Sequence, residues 1–90
     1  MKKPTELDKG KLDLAEIAKE LAPVNGHGMK SAEDVLEWMN NIHEELMIFS
    51  AIEPGFEDWS GDDYARMMTK NHSEPYAFKT KNYVVMHDYV

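Results

Sequence analysis

Between Ser31 and Pro54 the chain carries its largest set of regularly spaced apolar side chains: Val35, Met39, Ile42, Leu46 and Phe49, in alternating steps of four and three. At about 100° per residue these five fall within about 80° of arc, with Trp38 just beside them. The spacing predicts one amphipathic helix starting at Ser31, a serine N-cap followed by Glu33 and Asp34 in a first turn where the macrodipole favours acids. It is expected to run to about residue 52, where Pro54-Gly55 stops it. At about 21 residues and about 30 Å, such a helix would be the spine of the domain.

Other elements are arranged around that spine. Asp13-Leu14-Ala15-Glu16 has the form of a capping box, and Leu14, Ile17, Ala18 and Leu21 follow at helical spacing, so a first helix is expected over 13–22, ended by Pro23. Val24-Asn25-Gly26-His27-Gly28 reads as a turn-rich connection. Ser60-Gly61-Asp62-Asp63 repeats the cap signature ahead of Tyr64, Met67 and Met68, predicting a third helix over 61–70. Phe56 and Trp59 would plug the gap between helices two and three, or one of them would stand exposed as an interface anchor.

From Pro75 the period becomes two. Tyr76, Phe78 and Thr80 alternate with Ala77 and Lys79, and 83–90 is rich in β-branched and aromatic residues, which predicts a hairpin turning at Lys81-Asn82. A two-residue turn there pairs Phe78 with Val85 and Tyr76 with His87, and gives one face of Tyr76, Phe78, Tyr83 and Val85 to pack on the helices. A two-stranded hairpin is marginal alone, so it must dock on helix two or find a third strand. The expected fold class is therefore α+β, mostly helical: three helices with a C-terminal two-stranded hairpin, as one small domain over 13–90 preceded by a flexible segment at 1–12.

At 90 residues, the chain has no room for a second core, since a domain of this size buries only about 60–65% of the surface its unfolded form exposes. Without cysteine, disulfides, thiolate nucleophiles and thiolate metal sites are excluded. The four histidines do not sit at ligand spacing, and His43-Glu44-Glu45 opens like a zinc-protease motif but has Met47 where its second histidine belongs. His43 itself is expected half-buried at the edge of the apolar stripe. Gly26-His27-Gly28 lacks the third glycine and preceding strand of a dinucleotide cradle, and the serines have no nucleophile-elbow context. Neither catalysis nor a cofactor or metal is expected. No apolar run reaches the roughly 18 residues of a membrane span, so a cytoplasmic protein without membrane contact is expected.

The net charge of −7 is unevenly distributed. Residues 1–30 sum to +1 and 64–90 to +2, while 31–63 hold ten carboxylates and no lysine or arginine, a local charge of −10. Uncompensated like charges repel and destabilise the compact state, yet they speed and orient association with a positive surface. On the expected long helix Glu33, Glu37 and Glu44 share a side, Asp34 and Glu45 lie alongside, and Ile48 and Ile52 project among them, either covered by a neighbouring loop or acting as an apolar anchor. With Glu57, Asp58, Trp59, Asp62 and Asp63 they make up the expected partner-binding set.

The resulting expectation is a small acidic non-catalytic binding or inhibitor module that docks residues 31–63 on a basic groove of a larger protein. In its most concrete form it is a nucleic-acid mimic of the phage anti-defence type, the partner being a nucleic-acid-binding enzyme or complex and direct contact with nucleic acid being absent. One alternative is an oligomerising structural or accessory subunit, a homodimer through the long helix and hairpin edge, with acidity serving solubility. A second is a winged-helix-like nucleic-acid-binding domain, which the order of three helices and a hairpin resembles in architecture alone. Helix three, opening on Asp62-Asp63 and carrying only Arg66 and Lys70, is poorly charged for that task.

Overall fold

The computed structural model describes residues 3–24, 28–68 and 75–88. Its elements are a single turn of 3-10 helix at Lys9–Lys11, then α1 Leu14–Leu21, α2 Ala32–Asn41, β1 Met47–Ser50, α3 Gly61–Met68, β2 Pro75–Lys79 and β3 Tyr83–Asp88. Of the expected connection at 24–28, residues 25–27 lie outside the described residues, as do 69 and 70 at the expected end of helix three and 89 and 90 at the end of the hairpin.

Local chemistry starts the helices where the sequence indicates. The Asp13 carboxylate accepts from Ala15 N at 3.1 Å, Ser31 Oγ accepts from Asp34 N at 3.1 Å, and Ser60 and Asp63 form a reciprocal box in which Ser60 N donates to Asp63 Oδ2 at 2.8 Å and Asp63 N to Ser60 Oγ at 3.3 Å. Ile17, Ala18 and Leu21 of α1 meet Val35 and Met39 of α2 in one buried cluster, completed by Leu46, Ile48 and Val85.

The long second helix is not formed. α2 stops at Asn41, a four-residue turn follows, and 47–50 is a strand. Two asparagines in succession are poor helix formers, but the decisive point is the run Leu46-Met47-Ile48-Phe49. Wound as a helix, four consecutive apolar side chains point around most of the circumference, and a surface helix can bury only one stripe of them. Extended between two layers, all four are buried, and all four are buried here. Val35, Met39, Leu46 and Phe49 are therefore in the core as expected, though the last two arrive there from the strand and the residue before it, and Ile42 is half-buried in the turn.

The strand gives the hairpin its third member. The sheet order is β1-β3-β2, antiparallel throughout, and the β2–β3 register pairs Tyr76 with His87 and Phe78 with Val85, as the two-residue turn requires. The expected two-stranded, mostly helical chain is thus corrected to three strands of four, five and six residues with helices of eight, ten and eight. With β1 standing between α2 and α3, the three-helices-then-hairpin order behind the winged-helix likeness is also absent.

Side-chain alternation along the strands assigns the two sheet faces. Ile48, Phe78, Tyr83 and Val85 face α1 and α2, while Met47, Phe49, Ala77, Val84 and Met86 face α3. On the α3 side, Tyr64 is buried against Phe49 (ring centroids 5.6 Å) and Trp59 (5.3 Å), and Phe56 meets Trp59 edge-on at 4.8 Å. Phe56 and Trp59 therefore fill the space over the sheet beside α3, and the gap between helices two and three does not exist, because those helices lie on opposite faces.

Gly61 opens α3 in close approach to β2: a Cβ on it would stand 2.9 Å from the Ala77 carbonyl oxygen. Gly61→Ala should cost about 1–3 kcal/mol by overpacking against backbone that cannot yield, and Leu46→Ala about 2–5 kcal/mol by opening a cavity. Urea midpoints read both, and an unchanged midpoint for Gly61→Ala would contradict the close crossing.

Candidate functional site

The acids of 31–63 divide into groups once the chain is folded. Val35 and Met39 turn inward from α2, which leaves Glu33, Asp34 and Glu37 exposed on its other side, with Glu33 and Glu37 one turn apart. Glu44 and Glu45 are exposed in the turn that follows the helix, not on the helix as expected, and His43 is exposed there too instead of half-buried. This turn wraps an open cavity of about 420 Å³ lined by residues 40–45, and the Lys9 ammonium donates to the His43 carbonyl at its rim. A smaller groove of about 150 Å³ runs between α1 and α2 past Ala15, Lys19, Ala32, Glu33 and Leu36.

The remaining acids belong to the α3 side of the sheet, and several have local structural work. Glu57 Oε1 accepts from Gly55 N at 2.6 Å across a turn in which Gly55 has a φ of +96°, and backbone N–H groups of Glu57 and Gly55 hold its carboxyl below its ordinary value. Asp63 is likewise lowered, first by the Ser60 N–H and then by Arg66, whose Nη2 lies 2.6 Å from Asp63 Oδ1. Asp58 and Asp62 are exposed. Glu53, half-buried, accepts from Thr5 N at 3.2 and 3.3 Å.

Of the two expected apolar anchors, Ile48 is corrected: it has no accessible surface, because as the middle of β1 it points into the α1–α2 cluster. Ile52, just past the strand, is 62% exposed. Trp59 is half-buried in the aromatic cluster on α3. The expected set is therefore brought together in two places, Glu33, Asp34 and Glu37 with the Glu44-Glu45 turn after them, and Glu57, Asp58 and Asp62 around the start of α3, with the sheet between α2 and α3.

One acid that the charge map passed over accepts three hydrogen bonds from a distant part of the chain. Glu20, near the end of α1, accepts from Thr80 Oγ1 at 2.8 Å, Asn82 N at 3.1 Å and Asn82 Nδ2 at 2.9 Å, fastening the hairpin turn to the helix. Thr80 Oγ1 in turn accepts from Tyr83 N at 2.9 Å. Glu20 follows no motif, and its partners are 60 and 62 residues away. The other unforeseen feature is His87, buried at the sheet's α1–α2 face with Trp38 edge-on at 5.0 Å and Tyr76 and Phe78 stacked at 5.6 and 6.2 Å; its Nδ1 is 3.0 Å from the Asp88 carbonyl. The register shows why: His87 pairs with Tyr76, and cross-strand partners share a face.

What this surface offers chemically is exposed negative charge on a helix and on the turn that follows it. No family model, curated protein or solved structure matches the chain. Among the described residues no helix is long and apolar enough to cross a membrane.

The Glu20 network has a pH signature. Burial pushes its carboxyl up, but hydrogen bonds from the Asn82 side chain, Thr80 and Asn82 N, with the Lys81 charge, outweigh that and bring it below its ordinary value near 4.5. A lowered folded-state value means that the stabilisation is complete above pH 4.5 and is lost as pH falls through the folded value. Glu20→Ala should cost about 1–3 kcal/mol at pH 7 and show a shallower fall in stability below pH 4.5 than the native chain. Parallel acid slopes in urea titrations of the two would contradict the linkage.

Proposed function

We propose that this chain is a small acidic binding module, without catalysis, that docks carboxylates of its 31–63 segment on a basic surface of a larger protein. The observation that supports this best is the exposure of Glu33, Asp34, Glu37, Glu44 and Glu45 in a stretch with no lysine or arginine of its own. Within the α3 group, Asp63 is matched by Arg66 and Glu57 by backbone N–H groups, so those acids have local explanations. The α2 group has macrodipole support for Glu33 and Asp34 only. Charge left at a rigid surface at the expense of stability fits a surface kept for association. Because the acids split between the two sides of the sheet, a docking face would be the α2 group with the turn after it. A nucleic-acid mimic of phage anti-defence type would be a special case, needing these few carboxylates to match phosphate positions along one groove.

The oligomerising reading relied on the hairpin edge, and that edge is blunted. Alternation from the Thr80 N to Tyr83 O bond turns the backbone groups of Pro75, Ala77 and Lys79 outward on β2. Pro75 has no N–H to offer, the Ala77 carbonyl is covered by Gly61, and Lys79 reaches away to the carbonyls of Glu57 and Trp59.

The test begins with affinity capture at low salt to obtain a partner, followed by binding kinetics of the native chain and of Glu33→Lys, Glu37→Lys, Glu44→Lys combined. The triple reversal should slow association about tenfold or more at low ionic strength, with the loss shrinking as salt rises, while thermal unfolding stays cooperative. Binding that is indifferent to both the reversal and salt would overturn the proposal.

A further inference from the structure

The two edges of the sheet are closed in different ways, and the difference points to a binding site. The β2 edge is closed by features built into the fold. The β1 edge is closed by a terminal segment: Leu7 N donates to the outward carbonyl of Ile48 at 2.7 Å, Glu6 bridges Phe49, and Thr5 N reaches the Glu53 carboxylate. This strap is short, and its sequence carries Lys3 and Lys9 against Glu6 and Asp8, so it has no net charge of its own. It lies on an edge with Glu53 at one end and the turn bearing Glu44 and Glu45 at the other, where the Lys9 ammonium sits on the His43 carbonyl. A strand edge with carboxylates at both ends offers a basic extended segment a charge complementarity that the net-neutral strap does not use.

We infer that the outer edge of β1 is a strand-addition site for a basic extended segment of a partner protein, and that residues 3–9 occupy it in the free chain as an internal stand-in. Strand addition takes affinity from main-chain hydrogen bonds and selectivity from flanking groups. Here the main-chain acceptor is Ile48 O, and the flanking groups are Glu53 on one side and Glu44, Glu45 and the His43 carbonyl on the other. The partner's segment would replace the Leu7 donor and direct its lysines or arginines to these flanking groups. This rests on the acidic-docking reading and narrows it to one edge and one partner conformation.

The probe is a fluorescein-labelled peptide with the sequence of residues 1–12, titrated against the full chain and against the full-length Leu7→Pro variant, whose strap has lost the N–H that Ile48 accepts. The variant should bind the peptide at least tenfold more tightly than the native chain, which holds its own strap in place. Raised salt, or a peptide carrying Lys3→Glu and Lys9→Glu, should weaken that binding. Equal binding by native chain and variant, or no binding by a folded variant, overturns the inference. Because Leu7 also packs against the core, a second measurement uses the native chain alone. The Leu7 amide should exchange with solvent deuterium at least a hundredfold faster than the Val85 amide, reporting release of the strap short of global unfolding; equal protection of the two would make the strap a fixed part of the fold and overturn the inference. If the strap proves fixed while partner binding still responds to the Glu33, Glu37 and Glu44 reversal, strand addition falls and acidic docking stands. If the peptide binds the variant only but the partner ignores the reversal, the docking reading is the one that fails.

Discussion

The burial of Met47, Ile48 and Phe49 on both faces of one strand is the constraint from which the rest of the architecture follows. Fully burying such side chains stabilises by about 1.5–3 kcal/mol each, and a chain this small cannot leave that unused. Once β1 lies against β3, Val84, Val85 and Met86 are also covered on alternate faces, and each face needs a layer above it. α1 and α2 supply one through Ile17, Leu21, Val35 and Met39; Trp59, with Tyr64, Met67 and Met68 of α3, supplies the other. The hairpin, too weak to stand alone, becomes the larger part of a three-stranded sheet without recruiting another copy.

The same strand explains how the charge is displayed. Because α2 ends at Asn41 and the chain then crosses the molecule as β1, the acids before the strand and those after it are separated by the sheet. The five carboxylates that a single helix over 31–52 would have carried are divided between α2 and the turn after it, while on the α3 side Asp63 is paired with Arg66 and Glu57 accepts from backbone N–H. The group on α2 and its following turn, which has no such partners among the described residues, is therefore the more informative part of the charge map.

Much of this was legible in the sequence, and the exceptions have physical causes. Helix starts at Asp13, Ser31 and Ser60 could be read because a cap is a local interaction spanning two or three residues. The hairpin register could be read because a two-residue turn leaves one pairing that keeps Phe78 and Val85 on the same face. β1 was misread because 31–52 contains two overlapping signals, a stripe at helical spacing and a run of four consecutive apolar residues, and periodicity cannot arbitrate between a buried strand and a helix. The run is the signal that could have found it. Among candidate site residues the exposed acids could be named from composition, whereas Ile48 was misplaced along with its strand. Glu20 could not be found at all, since its role depends on a turn 60 residues away.

The layering of the molecule and the division of its acids both depend on 47–50 being a strand beside 83–86. β1 and β3 place Ile48 opposite Val85 in a non-hydrogen-bonded pair, because Val85 directs its backbone groups to Phe78. Their Cα atoms should then be about 4.5 Å apart, close enough for a direct contact between the two Hα protons. Nuclear Overhauser spectroscopy of the labelled chain is predicted to show the Ile48 Hα–Val85 Hα cross-peak together with extended carbon shifts over 47–50. Continuous helical shifts from 32 to 52, with no cross-peak between those protons, would contradict the structure and with it the division of the acids.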